Sequence, residues 1–229
     1  MKNNIVLLHG ALGSETQFEK LVTILEKEFN VYTFNFDGHG GIPIKNDFSI
    51  DLFTKNTKTF IEQHQLENPI VFGYSMGGYV GINVARKYPD IVHKIITLGT
   101  KFDWTPDFSR QEVRMLNPDK IAQKVPKFAQ YLKALHSDTY WKEVVLQTAK
   151  MMNNLGDTPT LKDEEIEKIQ HKALVCLGAL DNMVTLEESK RISNTFPNGQ
   201  FQILENCPHQ IERANIPDLA KTIQDFIKN

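Results

Sequence analysis

Six short runs of β-branched and aromatic residues recur along the chain, separated by longer stretches with helical spacing, and this alternation limits the fold more than any other feature. The runs are 4–8, 31–36, 69–72, 94–98, 173–177 and 200–204. Between them residues return at i, i+3, i+4 and i+7, as in Phe18, Leu21, Val22 and Leu25, a pattern that Leu52, Phe53, Thr57, Phe60 and Ile61 repeat. Strands that each lead into a helix pair in parallel, because the helix is the crossover that carries the chain back. The expected fold is a three-layer α/β/α arrangement around a mostly parallel sheet of about six strands.

The alternation stops once. Residues 101–170 are far too many for an ordinary connection and carry helical segments of their own, punctuated by Pro106, Pro118, Pro126 and Pro159 into short helices. Residues 1–100 and 171–229 then form a core, and 101–170 a helical insertion within the same folding unit. The insertion holds Phe102, Trp104, Phe108, Met115, Phe128, Tyr131, Tyr140, Trp141, Met151 and Met152, more apolar bulk than a solvated linker needs. Most should pack with one another and a few should face a binding pocket.

Charge excludes some partners. Lys and Arg number 26 against 28 Asp and Glu, with no block of like sign, so neither nucleic acid nor an anionic membrane surface is indicated and a small molecule fits better. No run approaches the roughly 20 apolar residues of a membrane span, and the first residues do not read as a leader, so a cytoplasmic protein is expected. Cys176 and Cys207 read as buried thiols. A monomer is the default expectation, with a dimer formed through the insertion as the alternative.

In a parallel sheet, ligands bind beyond the carboxyl ends of the strands, so reactive residues should follow strands directly. Ser75 does, in Gly73-Tyr74-Ser75-Met76-Gly77, where flanking glycines permit a sharp turn from strand to helix. A serine hydroxyl needs a base to take its proton, and the base needs an orienting group. Of seven histidines, His209 follows the last strand at the same edge, whereas His93 begins a strand and lies at the wrong edge. Asp181 follows the fifth strand and is the preferred acid; Asp103, after the fourth, is its rival. Two backbone N–H groups should form an oxyanion hole: Met76, after the serine, and Ala11, in His9-Gly10-Ala11-Leu12-Gly13. His9 and His39 read as residues that organise loops. A metal site from His9, Asp37, His39 and Asp181 lacks ligand spacing, and no metal is expected. Leu12, Tyr74, Trp104, Trp141 and Met183 are candidates to line the pocket.

Together these segments resemble the α/β-hydrolase fold family over nearly the whole chain. The matching order is His9-Gly10-Ala11, then Asp37-Gly38-His39-Gly40, the turn at Ser75, Asp181 and His209. The resemblance implies that the insertion is a helical cap roofing the active site. Family members usually begin with an antiparallel hairpin, yet only four residues precede Ile5, so the sheet should lack it; Pro208 also stands where glycine is more usual. The implied activity is a cofactor-free serine hydrolase that cleaves an ester or thioester of a small to medium hydrophobic substrate through an acyl-enzyme. Carbon–carbon bond hydrolysis, perhydrolysis, a menaquinone-pathway type of lyase and a non-catalytic ligand sensor are the alternatives on the same fold. The lyase would need basic residues for an acidic substrate, with Arg86, Arg110 and Arg114 available.

Overall fold

In the first strand, β1 (Asn4–Leu8), alternate residues serve opposite faces, and all of Ile5, Val6, Leu7 and Leu8 are buried. Both faces must therefore be covered, which is the signature of a parallel sheet between helical layers. The computed structural model describes residues 2–228 and shows this arrangement. The first half of the chain supplies α1 (Glu19–Leu25), β2 (Asn30–Thr33), α2 (Ile50–Gln63), β3 (Ile70–Tyr74), α3 (Met76–Lys87) and β4 (Lys94–Leu98). The insertion contributes α4 (Pro106–Val113), α5 (Pro118–Lys124), α6 (Pro126–Asp157) and α7 (Asp163–Ile166). The chain closes with β5 (Lys172–Leu180), α8 (Leu186–Thr195), β6 (Gly199–Pro208) and α9 (Ile216–Lys228).

The strands form one sheet in the order β2-β1-β3-β4-β5-β6, and every neighbouring pair is parallel. Ile5, Leu7, Ile70, Phe72 and Ile96 face α1 and α9, where they meet Leu21, Leu25, Leu219, Ile223 and Phe226. Val6, Leu8, Val71 and Ile95 face the other layer, with Phe53 and Ile61 of α2, Val80 and Val84 of α3 and Ile192 of α8. Each such side chain stabilises the fold by about 1.5–3 kcal/mol through burial, so the two layers fix strand register as well as stability.

Four strands differ in their limits from the sequence reading, and β3 does so by running on from 72 to Tyr74. β2 ends at Thr33 and not Phe36, because the backbone beyond it bonds to side chains: Phe36 N–H donates to His9 Nε2 (3.2 Å) and Asp37 N–H to Asn56 Oδ1 (3.0 Å). The rings of Phe34 and Phe36 stack instead on Phe60 and Phe53 of α2. β5 and β6 run past 177 and 204, to Leu180 and Pro208, with an irregularity between Gly178 and Leu180. Within this extension only Gly178 and Cys207 are buried, so it carries no apolar alternation that a sequence could display.

Within the insertion, Pro106, Pro118 and Pro126 open α4, α5 and α6 at first-turn positions that need no N–H, and Thr105 and Asn117 cap the first two. The helix after Pro126 is not short: α6 spans 32 residues and breaks at Ser137, whose φ of 71° and ψ of 158° are not helical. Trp141 packs with Ile121, Ala129, Leu132 and Val145 in a cluster of the insertion's own, while Met151 and Leu155 join the core of the sheet. No described helix is long and apolar enough to cross a membrane.

Candidate active site

Ser75 stands between β3 and α3 at φ 52° and ψ −117°, a conformation that costs a non-glycine residue about 1–3 kcal/mol and persists only where its surroundings impose it. Those surroundings are visible. Ser75 N–H donates to the Leu98 carbonyl (2.8 Å), and the Thr100 hydroxyl donates to the Ser75 carbonyl (3.0 Å). The turn also needs α3 to approach β1 closely: a Cβ on Gly77 would lie 2.0 Å from the Leu8 carbonyl oxygen. The strain is thus held by packing on three strands, and the side chain is left half-buried at the carboxyl edge of the sheet.

The overlong strands bring the next two residues together. Leu180 pairs with Pro208 in the β5–β6 register, so Asp181 and His209 emerge side by side. Asp181 Oδ2 lies 2.8 Å from His209 Nδ1, with the two side chains 1% and 9% exposed. The other carboxylate oxygen, Oδ1, accepts from the N–H groups of Met183 (2.8 Å) and Val184 (3.0 Å). Burial pushes the Asp181 carboxyl up, but the His209 hydrogen bond and charge and the two backbone donors outweigh it and hold the group below its usual value. An ionised Asp181 therefore keeps the proton of His209 on Nδ1 and leaves Nε2 as the basic nitrogen. Gly99, at φ 60°, lies against the pair; a Cβ there would come within 3.1 Å of Asp181 Oδ2.

Asp103 is turned elsewhere. Its carboxylate pairs with Arg191 and is half exposed, while its N–H donates to the buried Glu188 carboxylate (2.7 Å). Glu188 also accepts from Lys101 Nζ (2.5 Å) and Phe102 N–H, tying the start of the insertion to α8.

Ala11, Ser75 and Met76 line one cavity of about 40 Å3, room for two or three water molecules. Its walls are Ile50, Tyr79, Trp104, Met151, Met152 and Leu155, with Lys101 as the single charged residue. Of the pocket candidates, only Trp104 lines it. Trp141 is 2% exposed inside the insertion's own cluster, Tyr74 is buried on the far face of the sheet with its ring 5.7 Å from that of His209, and Leu12 packs toward Trp141. Met183 sits on the outer loop after β5, against a separate depression. Composition named aromatics but could not say which face of the insertion each would occupy. Tyr79, four residues after Ser75 on α3, was legible from helical spacing and was missed. Arg86 pairs with Glu165 and Arg110 with Asp107, and neither they nor Arg114 reach the cavity.

His9, His39 and His136 are all buried nearby. His9 Nδ1 bonds the Gly10 carbonyl (2.9 Å) and Nε2 accepts from Phe36, so both nitrogens are occupied; burial pushes its imidazole down to about 4. Among the described residues no group of three His, Cys, Asp or Glu side chains is placed to hold a metal ion.

The α/β hydrolase fold family profile matches residues 3–211. An uncharacterized hydrolase, YugF, from Bacillus subtilis is 22% identical, covering 99% of this chain and 90% of its own length. The sn-1-specific diacylglycerol lipase ABHD11 of Mus musculus is 23% identical over 97% of this chain and 80% of its own. Among solved structures, NosK from Streptomyces actuosus superposes with a TM-score of 0.85 at 18% identity, covering 100% of this chain and 98% of that one.

Proposed function

The chain belongs to the α/β hydrolase fold family, and on that premise we propose that it is a serine hydrolase cleaving esters or thioesters with a small, hydrophobic acyl group. The observation that carries this reading is the Asp181–His209 contact of 2.8 Å, buried at the same sheet edge where Ser75 is held in a strained turn. Lipase names among the relatives agree with ester cleavage.

In the proposed sequence, His209 Nε2 removes the proton of Ser75 as Oγ attacks the carbonyl carbon. The carbonyl electrons move onto oxygen, where the N–H groups of Ala11 and Met76 hold the charge; Met76 opens α3, so the positive end of that helix adds to them. Collapse expels the alkoxide or thiolate, which takes the proton from His209. Water then repeats the cycle on the acyl-enzyme and releases the acid. Asp181 stays ionised and stabilises the imidazolium. The helices of 101–170 act as a cap over this site, and the cavity beneath Trp104 and Met151 limits the acyl group.

Turnover of p-nitrophenyl acetate, butyrate and octanoate, with fluorophosphonate labelling, tests the reading on the wild type and on Ser75→Ala. The wild type should label at Ser75 and favour the short esters, while Ser75→Ala should lose about 10⁴-fold or more in kcat with its fold intact. Undiminished turnover in that variant overturns the reading, and a single turnover followed by arrest would mark a ligand sensor instead.

A further inference from the structure

His136, in the insertion, is fully buried, and its two ring nitrogens reach two different loops. Nδ1 accepts from Gly40 N–H at 3.1 Å and Nε2 bonds the Leu12 carbonyl at 3.0 Å. A backbone N–H only donates and a carbonyl only accepts, so the ring is neutral with its proton on Nε2. Burial also holds this imidazole below its ordinary value.

What it grips is the turn that presents Ala11. Gly13 N–H donates to the Gly10 carbonyl at 3.1 Å, closing a four-residue turn with Leu12 third, at φ 57°. That position favours glycine or asparagine, and leucine there is strained. The Gly10 carbonyl, in the same peptide unit as the Ala11 N–H, is held by His9 Nδ1; the Leu12 carbonyl, two units further on, is held by His136 Nε2. Two buried imidazoles therefore clamp the backbone on either side of Ala11. His9 belongs to the loop itself, whereas His136 is brought by α6. The break at Ser137 directly follows His136, and the Ser137 hydroxyl caps the second half of the helix through Tyr140 N–H (3.3 Å). A strained residue thus stands at the turn and another at the helix break, joined through one imidazole.

We propose that His136 is a positioning residue that makes the aim of the Ala11 N–H depend on the seating of the insertion. The inference rests on Ala11 being an oxyanion donor. When the insertion lifts, the Leu12 carbonyl loses its partner, the strained turn relaxes and the donor swings out of line; when it seats on substrate, the donor is restored. Water reaching an open site would then meet a weakened oxyanion hole.

His136→Phe keeps the ring and removes both bonds; His136→Gln offers one donor and one acceptor at about the spacing of the ring nitrogens. The Phe variant should lose about 10- to 100-fold in kcat with KM within about threefold, because a displaced donor weakens binding of the transition state more than of the substrate. The Gln variant should recover most of it. Amide hydrogen exchange gives a readout independent of activity: Leu12 and Gly13 should exchange at least about tenfold faster in the Phe variant, with β1 unchanged, and near wild-type rates in the Gln variant. A folded Phe variant with wild-type kcat, or with unchanged exchange at Leu12 and Gly13, overturns the proposal. If the Phe variant does not fold, His136→Asn, too short to keep both bonds, must show the same two effects. If wild-type protein neither labels nor turns over, the hydrolase reading fails and exchange alone decides whether His136 holds the turn.

Discussion

The two ends of the sheet's carboxyl edge both carry buried histidines, and they use them in opposite ways. At the β5–β6 end, His209 gives Nδ1 to an ionised carboxylate, and its Nε2 makes no hydrogen bond among the described residues. At the β1–β2 end, His9 gives both nitrogens to backbone groups and His136 does the same, while the His39 ring stacks on Phe48 with Nδ1 on the Asp37 carbonyl. A buried imidazole next to a carboxylate can take and return a proton. One surrounded by aromatic rings and amides can only serve as a neutral strut. Burial alone therefore says nothing of chemistry; the partner does.

The largest expected effect follows from removing the open nitrogen. His209→Gln should lower kcat for a p-nitrophenyl ester by about 10⁴-fold or more, and Asp181→Asn by about 10³- to 10⁴-fold through loss of the correct tautomer, each with an unchanged circular dichroism spectrum. Comparable losses from His9→Gln would break the contrast between the two ends.

Acid should separate the ends by stability. His9 binds its proton near pH 4 when folded and near 6.5 when unfolded, so the unfolded chain takes up protons first. Stability is complete above about 6.5 and falls as the pH drops toward 4. His9 alone should cost about 2 kcal/mol between pH 7 and pH 5. His39 is held well below its ordinary value by burial and by its histidine neighbours, and His136 by burial, so both add to the loss. Asp181, held low, loses its contribution only further down, below the ordinary carboxylate range. Urea unfolding at pH 7 and pH 5 measures this, and a midpoint that does not move would show that the histidine cluster is not held neutral. The smallest effect is assigned to the rival acid: Asp103→Asn should leave kcat within about twofold and cost less than about 1 kcal/mol, since its partner Arg191 is solvated and keeps Asp163.

The strands and the order of the motifs were readable because a parallel sheet gathers the residue after each strand at one edge. Ser75, Asp181 and His209 needed only that rule to be brought into one neighbourhood. The limits of β2, β5 and β6 were not readable. Phe34 and Phe36 have the composition of a strand while the N–H groups of Phe36 and Asp37 go to His9 and Asn56, and the ends of β5 and β6 carry no buried alternation. Trp104 and Trp141 look alike in sequence, yet one faces the cavity and the other fills the insertion. His136 had no local pattern at all. Its place depends on a break at Ser137 and on a turn at Leu12, which lies 124 residues away along the chain.

The β5–β6 ladder carries one further consequence. The Leu180–Pro208 rung places Asp181 beside His209, and the pairing of β3 with β4 places Ser75, so the backbone positions of these three residues follow strands of one sheet. The helices of 101–170 are grafted between two strands that already have their register. The insertion leaves the sheet after β4 and rejoins it at β5 without interrupting their pairing, so a different insertion could be carried at the same point without moving Asp181 or His209. If His136 positions the Ala11 donor as proposed, any replacement would still have to supply a neutral donor to the carbonyl of Leu12.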